Sequence, residues 1–230
     1  MTGHPKSIKN ARDVLLRHPL SQLSDMRLVS ACDIMVLEYQ LLETLPTTEP
    51  DDPRCQAHLQ EARTRMDQWF SIWDALVGKH YSIEHYMRQT LRIHKEYGFL
   101  TLHMAGMPRI ITSADLDSVS DAERSNCIHV LSAAKEIARI SVEEPSYRDG
   151  LRYSPTCFYS GVSFVGATLL RLGAALKGEE QTINRYTVEL YRVLSDVPTC
   201  RFKFQFVSLL KEKGLIPEDS PGDEGKTLEN

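Results

Sequence analysis

From Pro155 onward, Phe158, Val162, Val165, Leu169, Leu172 and Leu176 step by four and three without a miss, the spacing of one helix face. Pro155 opens this helix and Gly178 stops it. A second apolar series, Met66, Trp69, Phe70, Trp73, Leu76 and Val77, lies on one face of a helix predicted over Gln56 to Val77, with Gly78 as its stop. Upstream, Leu23 to Leu45 holds Leu28, Val29, Ile34, Met35, Leu37, Leu41 and Leu42 with no Gly or Pro inside. That distribution is apolar almost all round and predicts a helix covered on more than one side.

The polar punctuation between these stretches predicts the rest. Three prolines within Thr44 to Pro53 mark a loop. Ser82, with Glu84 in the first turn and His85 three residues on, can open a helix that carries Ile83, Met87 and Leu91 inward. A connector follows Pro108, where Ser113, Asp115, Asp117, Ser118, Ser120 and Asp121 can all turn or cap the backbone. Then comes a helix from Ala122 to about Val142, ended by Pro145, with Tyr147 to Gly150 as a turn. Thr182 can cap a helix through Leu194, and Pro198 separates it from Thr199 to Lys213. In that last stretch Phe202, Phe204 and Phe206 alternate as in a strand, but Phe202, Phe206, Leu209 and Lys213 fit a helix, and helical neighbours favour the helix. The fold class expected is all-α, with about seven or eight helices in one domain over 1–216 and an acidic disordered tail over 217–230.

Composition adds compartment and partner limits. The 230 residues are 42% apolar and 25% charged, near the average of a packed chain. The formal charge of −4 belongs to the tail, where Glu218, Asp219, Asp223, Glu224 and Glu229 face only Lys226. The rest of the chain is balanced, so no global field draws it to phosphate and direct nucleic-acid binding is not expected. Cys32, Cys55, Cys127, Cys157 and Cys200 contain no CxxC pair, and Met1 to Lys6 is not followed by an apolar leader segment. The cysteines therefore read as small core hydrophobes in a reducing compartment. The longest uncharged span, Tyr153 to Leu170, is interrupted by Ser154, Pro155, Thr156, Ser160, Ser163 and Thr168 and reads as a buried helix, not a membrane span.

Candidate chemistry is thin. His80 with His85, and His94 with His103, are five and nine apart and do not share a helix face, and HExxH does not occur. Gly161-Val-Ser-Phe-Val-Gly166 misses G-x-S-x-G by one residue; Ser163 then lies mid-helix, with Gly161 and Gly166 permitting close helix packing. Glu143 and Glu144, like Glu179 and Glu180, read as solvated caps. Arg88, Arg92 and Lys95 put three charges on one side, as a solvated face or a patch for phosphate or an acidic partner. The Met66, Trp69, Phe70, Trp73 stripe reads as core, with a ligand cavity as its alternative. No catalytic or metal-binding residue is expected, and no cofactor; cofactor-binding residues are left unassigned.

One pattern goes further. Tyr86-Met-Arg-Gln-Thr-Leu-Arg-Ile-His-Lys-Glu-Tyr-Gly-Phe-Leu-Thr-Leu-His103, then Cys127 with Ala133, Ala134 and Ile137 in one helix, then Phe158 to Leu172, resembles the C-terminal part of the regulatory region of fungal zinc-cluster transcription factors. The likeness covers mainly residues 66 to 213 and includes none of the six cysteines that bind zinc and DNA in that family. It implies a transcription-regulatory protein or fragment in the nucleus, although no Lys/Arg-rich run marks a nuclear signal. It would act through protein partners, either other transcription regulators or a second copy, with a small-molecule effector as a further ligand class, no membrane partner, and a tie to a metabolic or secondary-metabolite gene cluster. Three readings follow: a regulator that lost its DNA-binding half, a truncated gene product, or a helical domain recruited to another task. The alternative function is a helical enzyme or small-molecule-binding protein of a fungal biosynthetic cluster.

Overall fold

The computed structural model describes residues 12, 14–45, 51–105, 119–151, 153–154, 156–173, 179–195 and 204–220, with side chains at all of these but 156, 157 and 204. The described residues are overwhelmingly helical, and no strand occurs among them. Eight helices follow a helical turn at 14–17: α1 Leu23–Glu43, α2 Pro53–Val77, α3 Tyr86–Ala105, α4 Asp121–Glu143, α5 Pro145–Leu151, α6 Thr156–Leu172, α7 Glu180–Ser195 and α8 Phe204–Glu212. Among the described residues no helix is long and apolar enough to cross a membrane. The sequence reading drew one domain over 1–216; the helices group in two compact units, Met1–Pro108 and Arg109–Asn230.

In the first unit α1, α2 and α3 pack pairwise. Helix α2 starts at Pro53, earlier than its apolar pattern suggested, because Pro fits the first helical position and the Asp52 carboxylate accepts the Arg54 backbone N–H at 2.8 Å. Met66, Trp73 and Val77 are buried to within 1% and Trp69 nearly so, which makes the aromatic stripe core; Phe70 is half-buried beneath the Lys95 ammonium. Helix α3 opens at Tyr86, not at Ser82. Residues 82–85 are turns, and Ile83 is 53% exposed while its carbonyl accepts from Gln89 Nε2 at 2.8 Å. The expectation that Ile83 points inward is thus corrected: it precedes the helix whose face would have carried it.

In the second unit α6 contacts α4, α7 and α8. Helix α4 is bounded by two local devices. Ser120 Oγ accepts the Glu123 N–H while Glu123 Oε2 accepts the Ser120 N–H, a capping box that closes its start. At its end Glu144 is extended, as the residue before a proline must be, and Pro145 then serves as the first residue of α5. Residues 147–150, expected as a turn, are therefore helical; the proline ended one helix and began another. Val130, Leu131, Ala134, Ile137, Ala138 and Ile140 of α4 are fully buried, facing a core that Val162, Val165 and Leu169 of α6 complete. Buried hydroxyls are satisfied locally: Ser141 donates to the Ile137 carbonyl and Tyr159 to the Leu151 carbonyl. The stops expected at Gly178 and Pro198, the connector residues Ser113, Asp115, Asp117 and Ser118, and Phe202 lie outside the described residues. So does all of the tail beyond Ser220, whose N–H closes a turn onto the Pro217 carbonyl at 3.0 Å.

Candidate functional site

Helix α8 ends in a Schellman motif: the Gly214 N–H donates to the Lys211 carbonyl at 2.8 Å and the Leu215 N–H to the Leu210 carbonyl at 2.9 Å. Gly214 takes φ 65°, the left-handed conformation that reverses the chain. This turn presents Lys213 and Leu215 side by side at a cleft whose other walls are Leu169, Leu170 and Gly173 from the end of α6 and Glu180, Ile183 and Asn184 from the first turns of α7. The cleft is half-open, with a volume of about 270 Å³. Gly173 keeps it tight, since a Cβ there would stand 2.8 Å from Ile183 Cδ1. Among the described residues neither Glu180 nor Lys213 forms an ion pair, and both are exposed at the rim above an aliphatic floor.

A second surface runs along α1. Leu28, Met35 and Tyr39 are 56%, 65% and 65% exposed, and Cys32 between them is exposed as well. With half-buried Leu42 their spacing is 4-3-4-3, the seam of a coiled coil. The opposite side of the same helix is core: Val29, Ile34 and Leu41 are within 2% of full burial. The helix expected to be covered on more than one side is covered on one, and the second apolar side is a seam.

Two half-buried titratable groups of the first unit are strongly shifted by loss of solvent. Burial alone pushes the Glu38 carboxyl up to about 7. Its Oε1 lies beside Met66 Sδ at the position where a Cβ of residue 98 would point. His94, one turn earlier on α3, is held neutral to about 4, by burial first and by the Arg27 guanidinium second.

The remaining candidates resolve as structure. Arg88 forks onto Asp74 with bonds of 2.7 and 2.6 Å, and Lys95 pairs with Asp67 while lying over the Phe70 and Phe99 rings. Two of the three charges in the basic row, Arg88 and Lys95, are thus neutralised by α2, while Arg92 donates to Gln89 Oε1 on its own helix at 3.4 Å. Glu143 accepts from Tyr186 Oη at 2.9 Å and Arg185 Nη2 at 3.0 Å, Glu144 from Arg139 Nη1 at 3.1 Å, and Glu179 from Lys135 Nζ. Three of the four carboxylates expected as solvated caps are therefore ion-paired, and the Glu143 and Glu179 pairs tie α4 to the start of α7; Glu180 alone of the four is at the cleft. Bonds from Arg139 to Glu136 and then Glu144 push its guanidinium further above the ordinary range. Ser163 is buried in mid-helix, and Gly166 packs against Phe206. His85 stacks on Tyr81, His94 is half-buried and His103 buried, while no group of three metal-ligating side chains occurs among the described residues. Cys55 and Cys127 are buried core thiols raised by burial, whereas Cys32 is exposed, contrary to its core reading; the side chain of Cys157 and all of Cys200 lie outside the described residues.

No protein-family model, no curated protein and no solved structure matches this chain. Its site chemistry must be read from its own geometry.

The sequence reading missed both surfaces. The seam was visible in the 4-3-4-3 spacing of Leu28, Cys32, Met35, Tyr39 and Leu42, which a count of apolar residues around the helix blurs. The cleft had only a weak local sign, Lys213-Gly214-Leu215 after an apolar run, because its other walls come from two helices far earlier in the chain.

Proposed function

We propose that this chain is a non-enzymatic transcription-regulatory protein, related to the regulatory region of zinc-cluster factors, that works in the nucleus through a protein partner and serves a metabolic or secondary-metabolite gene cluster. The observation that carries the reading is the unpartnered seam on α1. A seam with 4-3-4-3 spacing is complementary to one class of partner, an amphipathic helix of the same spacing, and the partner committed to is such a helix on another transcription regulator. Its three exposed side chains and one thiol carry no charge, so docking is driven by apolar burial, and DNA is reached through the partner. The near-neutral body of the chain supports the same division of labour, since phosphate capture needs a basic face.

The test is localisation and promoter occupancy of the tagged protein in its native host, beside a Leu28→Glu/Met35→Glu variant. Nuclear signal with promoter enrichment that the variant loses supports the reading. Cytoplasmic signal without occupancy overturns it. The second reading, a small-molecule-binding or catalytic helical protein of a biosynthetic cluster, is favoured by the cleft of the second unit and would show as an altered metabolite profile in a deletion strain.

A further inference from the structure

We infer that the cleft formed by α6, the start of α7 and the Schellman end of α8 binds a small zwitterion with an apolar side chain, the chemistry of a free aliphatic amino acid. The assignment rests on the small-molecule reading of the cleft and is independent of partner docking on α1, so the outcomes below leave that docking untouched.

The argument starts from charge. Glu180 and Lys213 stand on different elements at the same opening, and each lacks an ion-pair partner among the described residues. A ligand with only negative charge would meet one lysine and be repelled by Glu180; a simple cation would meet the converse. A purely apolar ligand would leave both rim charges unmatched. A carboxylate and an ammonium on one molecule satisfy both walls, with carboxylate oxygens accepting from Lys213 Nζ and the ammonium donating to the Glu180 carboxylate. Asn184, one turn after Glu180 on the same face of α7, adds a carboxamide that can donate or accept beside them.

The floor then selects the side chain. Leu169, Leu170, Ile183 and Leu215 are aliphatic and offer no hydrogen bond, so a branched or unbranched hydrocarbon chain is matched there and a polar one is left unsatisfied. Size sets the upper limit. A volume of about 270 Å³ is the liquid share of about nine waters, enough for one amino acid and below the usual range for larger ligands. Gly173 holds this shape, because any side chain there would push Ile183 across the floor.

The experiment is calorimetric and NMR titration of the full chain with L-leucine, with leucinamide and 4-methylpentanoate as controls that each lack one charge. Saturable one-to-one binding of L-leucine is expected, with each control weaker by about tenfold, the worth of one charge-assisted contact. Lys213→Glu and Glu180→Lys should each weaken L-leucine by about tenfold, and the double exchange should restore most of it by turning the ligand end for end. Both residues are exposed, so thermal unfolding of the variants confirms that the fold is kept. Absence of saturation up to about 10 mM, equal affinity for the controls, or variants that bind as the parent does would each overturn the assignment.

Discussion

The ring of Phe206 fills the space that a Cβ at position 166 would need: its Cζ stands 2.5 Å from that point, and Phe206 itself is 1% exposed. Helix α8 is seated on α6 at the second of that helix's two glycines. A rigid buried ring has no flexible end to swing aside, so Gly166→Ala should destabilise the second unit by about 1–3 kcal/mol, outweighing the helix-propensity gain of about 1 kcal/mol. Urea unfolding of Gly166→Ala, Phe206→Leu and the pair should show the double variant recovering part of the loss. Additive losses would mean that the two residues do not meet.

Glu38 should make the first unit less stable as pH rises. Its carboxyl titrates near 7 in the fold, against 4.5 ordinarily, so the folded state holds a proton that the unfolded state has released between those values. Stability conferred by that proton is full below about 4.5 and is lost as pH climbs through 7. Glu38→Gln should remove this slope and stabilise the unit by about 1–3 kcal/mol at pH 8, read from denaturant midpoints across pH. An unchanged slope would remove Glu38 as its source.

His94 acts with the opposite sign. Its ring is neutral in the fold down to about 4, against 6.5 ordinarily, so stability present above 6.5 is lost as pH falls through 4. The two half-buried groups therefore oppose one another between about 4.5 and 6.5. Glu38→Gln should expose the acid loss that Glu38 offsets in the parent, so the variant's unfolding midpoint should fall more steeply from pH 6.5 to 4.5 than the parent's does. A parallel decline in both proteins would rule the compensation out.

Tyr186 should contribute through Glu143. Its hydroxyl donates to Glu143 Oε1 at 2.9 Å, which Arg185 also reaches, so Tyr186→Phe costs about 0.5–1.5 kcal/mol at neutral pH without leaving the carboxylate unpaired. Burial first, and the bond to Glu143 second, raise the phenol above its ordinary 10. The fold thus keeps a proton that the unfolded chain loses first, and stability declines as pH rises past 10 in the parent but not in Tyr186→Phe. Thermal midpoints from pH 7 upward check both parts.

Elements were legible where local chemistry and packing agreed. The α6 face needed only its 4-3 spacing, and α4 only the capping-type residues Ser120 and Asp121 ahead of an apolar series. Pro53 and Pro145 misled because a proline reads as a breaker, whereas at the first position of a helix its missing N–H costs nothing. Ile83 misled by one turn of helix that did not form. The carboxylates Glu143 and Glu179 show the deeper limit: acids at helix ends say nothing about the arginine, lysine and tyrosine that tertiary packing brings to them. The same holds for the cleft, where Glu180 and Lys213 come to one opening only after α6, α7 and α8 have packed.

Cys32 gives the α1 seam a built-in probe. Of the three cysteines whose side chains are described it is the exposed one, and it sits midway between Leu28 and Met35, while Cys55 and Cys127 are shut in the core. A thiol-reactive dye would therefore report on that stripe in the unaltered protein, and slowed labelling on mixing with a candidate partner would time the arrival of its helix.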